Sequence, residues 1–188
     1  MRNRCIFFLT IFFCSCFESY TPKPRAFFKV DLPSKEYERT DVECNFSFEK
    51  PDYSILKKLT QDCFYNLEFP DQNGTLHITY LSIEGDLLEH IEQSRSLAYK
   101  HNMVADAISE SVYVNDEYKV YGLLYDYDGA TATSLQFYLT DSINHFFRGA
   151  LYFNTQVTDS LLPINNFIKE DVKYIIESFR WQNQKRTI

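Results

Sequence analysis

The hydrophobic pattern of this chain switches between two periods, and each switch marks a new kind of element. In CNFSFE, Phe46 and Phe48 point the same way, and in CFYNLEF the positions Tyr65, Leu67 and Phe69 alternate with Phe64, Asn66 and Glu68. Such alternation is the mark of strands with one face in a core. PDQNG follows, and TLHITYLSI then resumes with Leu76, Ile78 and Tyr80 on one face. An Asn-Gly pair between two alternating runs predicts a hairpin. GDLLEHIEQSRSLAYKHN changes to helical spacing, placing Leu87, Leu88, Ile91, Ala98 and the stem of Arg95 on one side. Asp86 followed by Glu89 predicts a capping box at its start. Strands return in ISESVYV, YKVYGLLYDY, TSLQFYLTD and HFFRGALYFN, separated by turn chemistry at Asp128-Gly129 and Thr140-Asp141-Ser142. Four strands joined by short turns run antiparallel, because a parallel return needs a crossover. SLLPINNFIKEDVKYIIESFRW closes the pattern with Ile164, Phe167, Ile168, Val172, Ile175, Ile176 and Phe179 at helical spacing and Pro163 in the first turn. The expected fold is α+β: an antiparallel β-sheet, an amphipathic helix between two strand groups, and a C-terminal helix packed on the sheet.

The start of the chain reads differently. Arg2 and Arg4 precede an apolar run from Cys5 to Phe13 broken only by Thr10, which has the form of an export signal. The run is too short to span a bilayer, where roughly 20 apolar residues are needed. FCSC then places the small Ser15 directly before Cys16, as a lipoprotein signal peptidase requires, with Phe13 where Leu is usual. We therefore expect residues 1–15 to leave as a lipoprotein signal peptide and Cys16 to become the acylated N-terminus, the lipid bilayer being its partner. The competing expectation is an ordinary signal peptide cut elsewhere, with the cysteines incidental. Residues 16–40 are expected to form an extended tether, since SYTPKPRAFF carries two closely spaced prolines, while Phe27, Phe28 and Tyr37 leave open whether residues 26–40 pack onto the domain. Residues 41–188 then make a single α+β domain.

Apart from the acylated Cys16, only Cys44 and Cys63 remain after such processing. In an oxidising compartment two cysteines read first as a disulfide, and closing this loop is worth about 3 kcal/mol by chain entropy. Each cysteine opens an apparent strand, however. If those strands were hairpin neighbours, their starts would lie roughly 20 Å apart, whereas a bridge needs Cα atoms within about 7 Å. Either the two strands are not neighbours, or Cys44 precedes its strand and folds back.

Composition narrows the chemistry. There are 26 acidic against 19 basic residues and a net charge of -7, which argues against nucleic acid as a partner because phosphate binding is driven by Lys and Arg. The 17 Phe and 14 Tyr residues favour strands and supply core area. His77, His90, His101 and His145 share no metal-ligand spacing, so no metal is expected. Ser134, Asp141, Ser142 and His145 crowd together without the nucleophile elbow that a serine hydrolase needs. The five glycines are isolated, so no phosphate loop and no cofactor are expected. What remains is binding, with Gln136, Asp141, His145 and Arg148 as partner-binding candidates. Arg148, flanked by aromatics, reads either as an outward-facing arginine stacked over neighbouring rings or as a recognition arginine for a carboxylate or a partner protein. The rival reading is a small-ligand or glycan-binding envelope lipoprotein that stacks sugars on the tyrosines of KVYGLLYDY.

Several stretches also resemble a known family. The lipobox, TPKPRAFFKVDLP, CNFSFEKPDYS, CFYNLEFP, VADAISE, KVYGLLYDYDGATATSLQFYLTDSINHFFRGALYFN and the close in DSLLP and ESFRW together resemble the gliding motility lipoprotein GldD family of the Bacteroidota. The resemblance is most specific over residues 120–154, and departs from the family at DGATATS, where GNxAS is usual. It implies a lipoprotein of the cell envelope, its domain in the periplasm, needed for gliding and linked to type IX secretion. Its partners would be other gliding or secretion envelope proteins, with no enzymatic activity or cofactor. The order of strands and helices is also similar to the PsbP/Mog1-like arrangement, an analogy of topology alone.

Overall fold

The computed structural model describes residues 31–100, 105–129, 131–155 and 160–182. The expected signal peptide, Cys16, the first part of the tether and His101 lie outside the described residues.

Alternation becomes a seven-stranded antiparallel sheet. Its strands are β4 (Ile55–Lys58), β5 (Phe64–Phe69), β6 (Gly74–Ser82), β7 (Ala107–Asn115), β8 (Val120–Asp128), β9 (Thr133–Thr140) and β10 (His145–Phe153), in the spatial order β4-β5-β6-β10-β9-β8-β7. Strands β7 to β10 form the expected meander, each pairing antiparallel with the next. The turn between β5 and β6 is a short 3-10 segment, Pro70–Gln72, after which Asn73 takes a left-handed φ of 52°. Asn is among the few residues that enter that region readily. β10 then returns beside β6, with Gly149 opposite Ile78, which welds the first strand group to the second.

Two helices cover the faces. The long C-terminal helix α2 (Leu162–Ser178) buries Ile168, Val172, Ile175 and Ile176, with Pro163 in its first turn where no backbone donor is lost. Beneath it Phe147 packs its ring 4.8 Å from Phe179 and 5.0 Å from Phe46. The shorter helix α1 (Leu87–Tyr99) lies on the opposite face and buries only Ser94 and Ala98. Its inward stripe runs through Leu87, Ile91, Ser94 and Ala98, which rotates Leu88 outward to 75 % exposure. The expected capping box does not form. Asp86 accepts instead from the Glu84 backbone N–H at 3.0 Å and lies 3.2 Å from His90 Nε2, so its carboxylate is committed to both sides of the cap position.

The chain ahead of the sheet is more structured than its pattern suggests. Residues 35–40, assigned to the tether on sequence, pack onto α2. β1 (Tyr37–Arg39) pairs with β3 (Glu49–Pro51), while β2 (Phe46–Ser47) pairs with β11 (Arg180–Trp181). Asp171, with no side-chain exposure, accepts hydrogen bonds from the Tyr37 and Tyr53 hydroxyls and lies 3.1 Å from Lys35 Nζ. Burial and that carboxylate hold both tyrosines well above the usual phenol pKa. Cys44 and Cys63 form a disulfide with Cα atoms 5.8 Å apart. The strands that follow them are not neighbours, since β2 pairs with β11 and β5 with β4 and β6. Both cysteines precede their strands, Cys63 with a φ of 59°, so the hairpin separation does not arise.

Candidate functional site

The four candidate residues divide between two places. Gln136 and Arg148 meet beneath α1. Arg148 Nη2 donates to Gln136 Oε1 at 2.7 Å. Gln136 is 2 % exposed, and its Nε2 donates to Thr133 Oγ1 at 3.3 Å, which in turn donates to the Leu151 carbonyl at 3.1 Å. Burial pulls the Arg148 pKa below the usual guanidinium value, opposed by the nearby Tyr152 and Tyr127 hydroxyls. It remains a cation in any case. Among the described residues no carboxylate pairs with it. Arg148 also lines a cavity of about 240 Å³ between α1 and strands β5, β6 and β10.

Asp141 and His145 belong to the turn between β9 and β10. Asp141 Oδ1 accepts the backbone N–H groups of Ile143, Asn144 and His145 at 3.0, 2.8 and 2.9 Å, while Ser142 takes a φ of 68°. Burial opposes ionisation, but the three N–H donors outweigh it and hold the carboxyl below its usual pKa. His145 Nδ1 shares a hydrogen bond with the Tyr80 hydroxyl at 2.8 Å, and its ring stacks 5.1 Å from Trp181. Trp181 Nε1 donates to the Lys119 carbonyl at 3.0 Å, which ties the β9–β10 turn to the β7–β8 turn at the same end of the sheet. That end exposes apolar side chains: Ile143 is 68 % exposed, Val114 58 % and Tyr118 38 %. The Arg180 guanidinium lies 3.4 Å over the Tyr118 ring. Sequence reasoning missed Ile143, Tyr118 and Trp181; a lone isoleucine inside the polar turn DSINH was the available signal.

The other sequence candidates take structural places. The Ser134 hydroxyl donates to Asn165 Oδ1 of α2 and is buried, so it does not converge with His145. Of the tyrosines proposed as sugar platforms in β8, Tyr125 and Tyr127 are 1 % and 2 % exposed and Tyr121 is half-buried. Burial pushes the Tyr125 phenol up to about 12. Among the described residues no three His, Cys, Asp or Glu side chains gather as a metal site, and no helix is long and apolar enough to cross a membrane.

A search of curated proteins gave no match. The family model described as the gliding motility lipoprotein GldD matches residues 17–181, taking in both helices, the whole sheet and the bridged cysteines. The chain belongs to the gliding motility lipoprotein GldD family.

Proposed function

We propose that this protein is a non-catalytic lipoprotein, anchored to a membrane through acylated Cys16 with residues 41–188 and the β1 segment packed on them as one domain in the periplasm, that serves gliding motility and type IX secretion by docking other envelope proteins. Family membership supports the motility setting. The observation that carries docking is the apolar end of the sheet, where Tyr118 and Ile143 stand exposed in the two turns that Trp181 ties together and Val114 is exposed on the α1 face of the adjoining edge strand. Exposed apolar clusters rimmed by polar groups mark protein contacts, and aromatic and arginine side chains such as Trp181, Tyr118 and Arg180 are the types that carry binding energy. Asp141 and His145 are docking residues on this reading because they shape that surface. Gln136 and Arg148 lie beneath α1, away from this end, and take no part in the docking surface.

The test is photo-crosslinking in the producing cells with a crosslinking residue at Ile143 or Val114, and at Ile55 on the opposite edge strand as control; Ile55 is 47 % exposed. Motility or secretion proteins captured from the first two positions and not from Ile55 are the expected result. Equal capture at all three, or none, rejects this end as the docking surface. Palmitate labelling that persists in Cys16→Ala rejects the anchor.

A further inference from the structure

Where this fold buries a cation for structure, it supplies a counter-charge. Lys169, whose side chain is 9 % exposed, is held by Asp126 and the Tyr127 carbonyl. Lys35 pairs with Glu170 and Asp171, and Lys50 with Glu38. Arg148 sits on a central strand in a chain with 26 acidic residues, and its protein acceptor is a neutral amide. A guanidinium offers five N–H donors in a planar fork that fits a carboxylate. Leaving most of that fork unanswered beneath a helix is costly unless a ligand completes it.

The surroundings are built for one. The cavity beside Arg148 is also lined by Thr79, directly opposite Arg148 on β6, and by Ser94 of α1. Ser94 is 5 % exposed, and its hydroxyl has no partner among the described residues. Phe64, Leu97 and Phe146 supply apolar walls. One fixed cation, two hydroxyl donors and hydrocarbon walls match a single negative charge on an apolar body. A phosphate dianion would bring a second charge, and the other basic side chain on the lining, His90, is already engaged by Asp86 at 3.2 Å.

We propose that the cavity between α1 and strands β5, β6 and β10 binds a small apolar carboxylic acid, its carboxylate on Arg148 and the hydroxyls of Ser94 and Thr79, its hydrocarbon part against Phe64, Leu97 and Phe146. The site lies on a different face from the docking end and does not depend on that reading. Gln136 is a positioning residue that orients the guanidinium.

Isothermal titration of the full chain, purified in a non-ionic detergent, tests this with 3-phenylpropionate and hexanoate as probes and 3-phenylpropionamide and inorganic phosphate as controls. Saturable binding of the two acids is expected, with the amide and phosphate at least about tenfold weaker. Arg148→Met should weaken the acids by about ten- to a hundredfold, the worth of a charged hydrogen-bonded pair. Leu97→Trp, which leaves Arg148 in place and fills the cavity, should abolish binding; the same variant keeps the test valid if Arg148→Met fails to fold. No saturable binding by the unaltered protein, amide binding equal to acid, phosphate binding equal to acid, or unchanged affinity in Leu97→Trp each overturns the proposal.

Discussion

On the α2 side of the molecule Asp171 has no exposure and receives two tyrosine hydroxyls and a lysine; on the α1 side Arg148 is half-buried and is met by one neutral amide. The packing differs in the same sense. α2 presses Ile168, Val172, Ile175 and Ile176 into a continuous aromatic and aliphatic core, whereas α1 buries Ser94 and Ala98 and leaves a cavity beside them. One face is finished as structure, with every buried charge answered. The other keeps a charge and a hydroxyl in reserve beside empty space, the arrangement expected of a surface that works by binding.

The comparison breaks most readily at Asp171. Asp171→Ala leaves two tyrosine hydroxyls without their buried acceptor and Lys35 with Glu170 alone, and should cost about 3–5 kcal/mol in urea unfolding. A loss below about 1 kcal/mol would mean that the cluster is not a buried unit. Next comes the bridge beside the same core: Cys44→Ser should cost about 3 kcal/mol through the restored freedom of the unfolded chain, read from the urea midpoint under oxidising conditions. Arg148→Met sharpens the contrast from the other side. Since no ion pair is lost, the cost should be about 1 kcal/mol, set by the unpaired Gln136 Oε1. A cost matching that of Asp171→Ala would show that Arg148 is structural and the two faces are alike.

Much of this architecture was legible in the residues because local rules and global burial agree. Phe46, Phe48, Leu76, Ile78 and Tyr80 alternate and are buried as their spacing requires, and α2 shows its apolar stripe openly. Pairings distant in sequence were not legible. No local signal says that β10 lies beside β6, or that Arg180 and Trp181 pair with Phe46 and Ser47. Short strands such as β1 and β3 are held by tertiary contacts to α2 rather than by propensity. The same limit divided the site. Four polar residues close in sequence look like one patch, but alternation sends Arg148 to the α1 face and His145 to the α2 face of a single strand.

Asp141 supplies a third way of meeting charge, with backbone donors at the rim of the sheet and neither face involved. Asp141→Asn keeps an acceptor oxygen and loses the charge, so its cost at neutral pH should be below about 1 kcal/mol. The pH dependence separates charge from shape. The folded carboxyl lies below its usual pKa, so its stabilisation is complete above the unfolded value of about 3.9 and is lost as pH falls through the lower folded value. Urea midpoints of the two proteins should therefore differ at pH 7 and pH 5 and converge as the pH falls below about 4. A gap that stays constant across that range would assign the effect to altered hydrogen-bond geometry at the turn, and would leave the charge on Asp141 free for the docking surface beside Ile143.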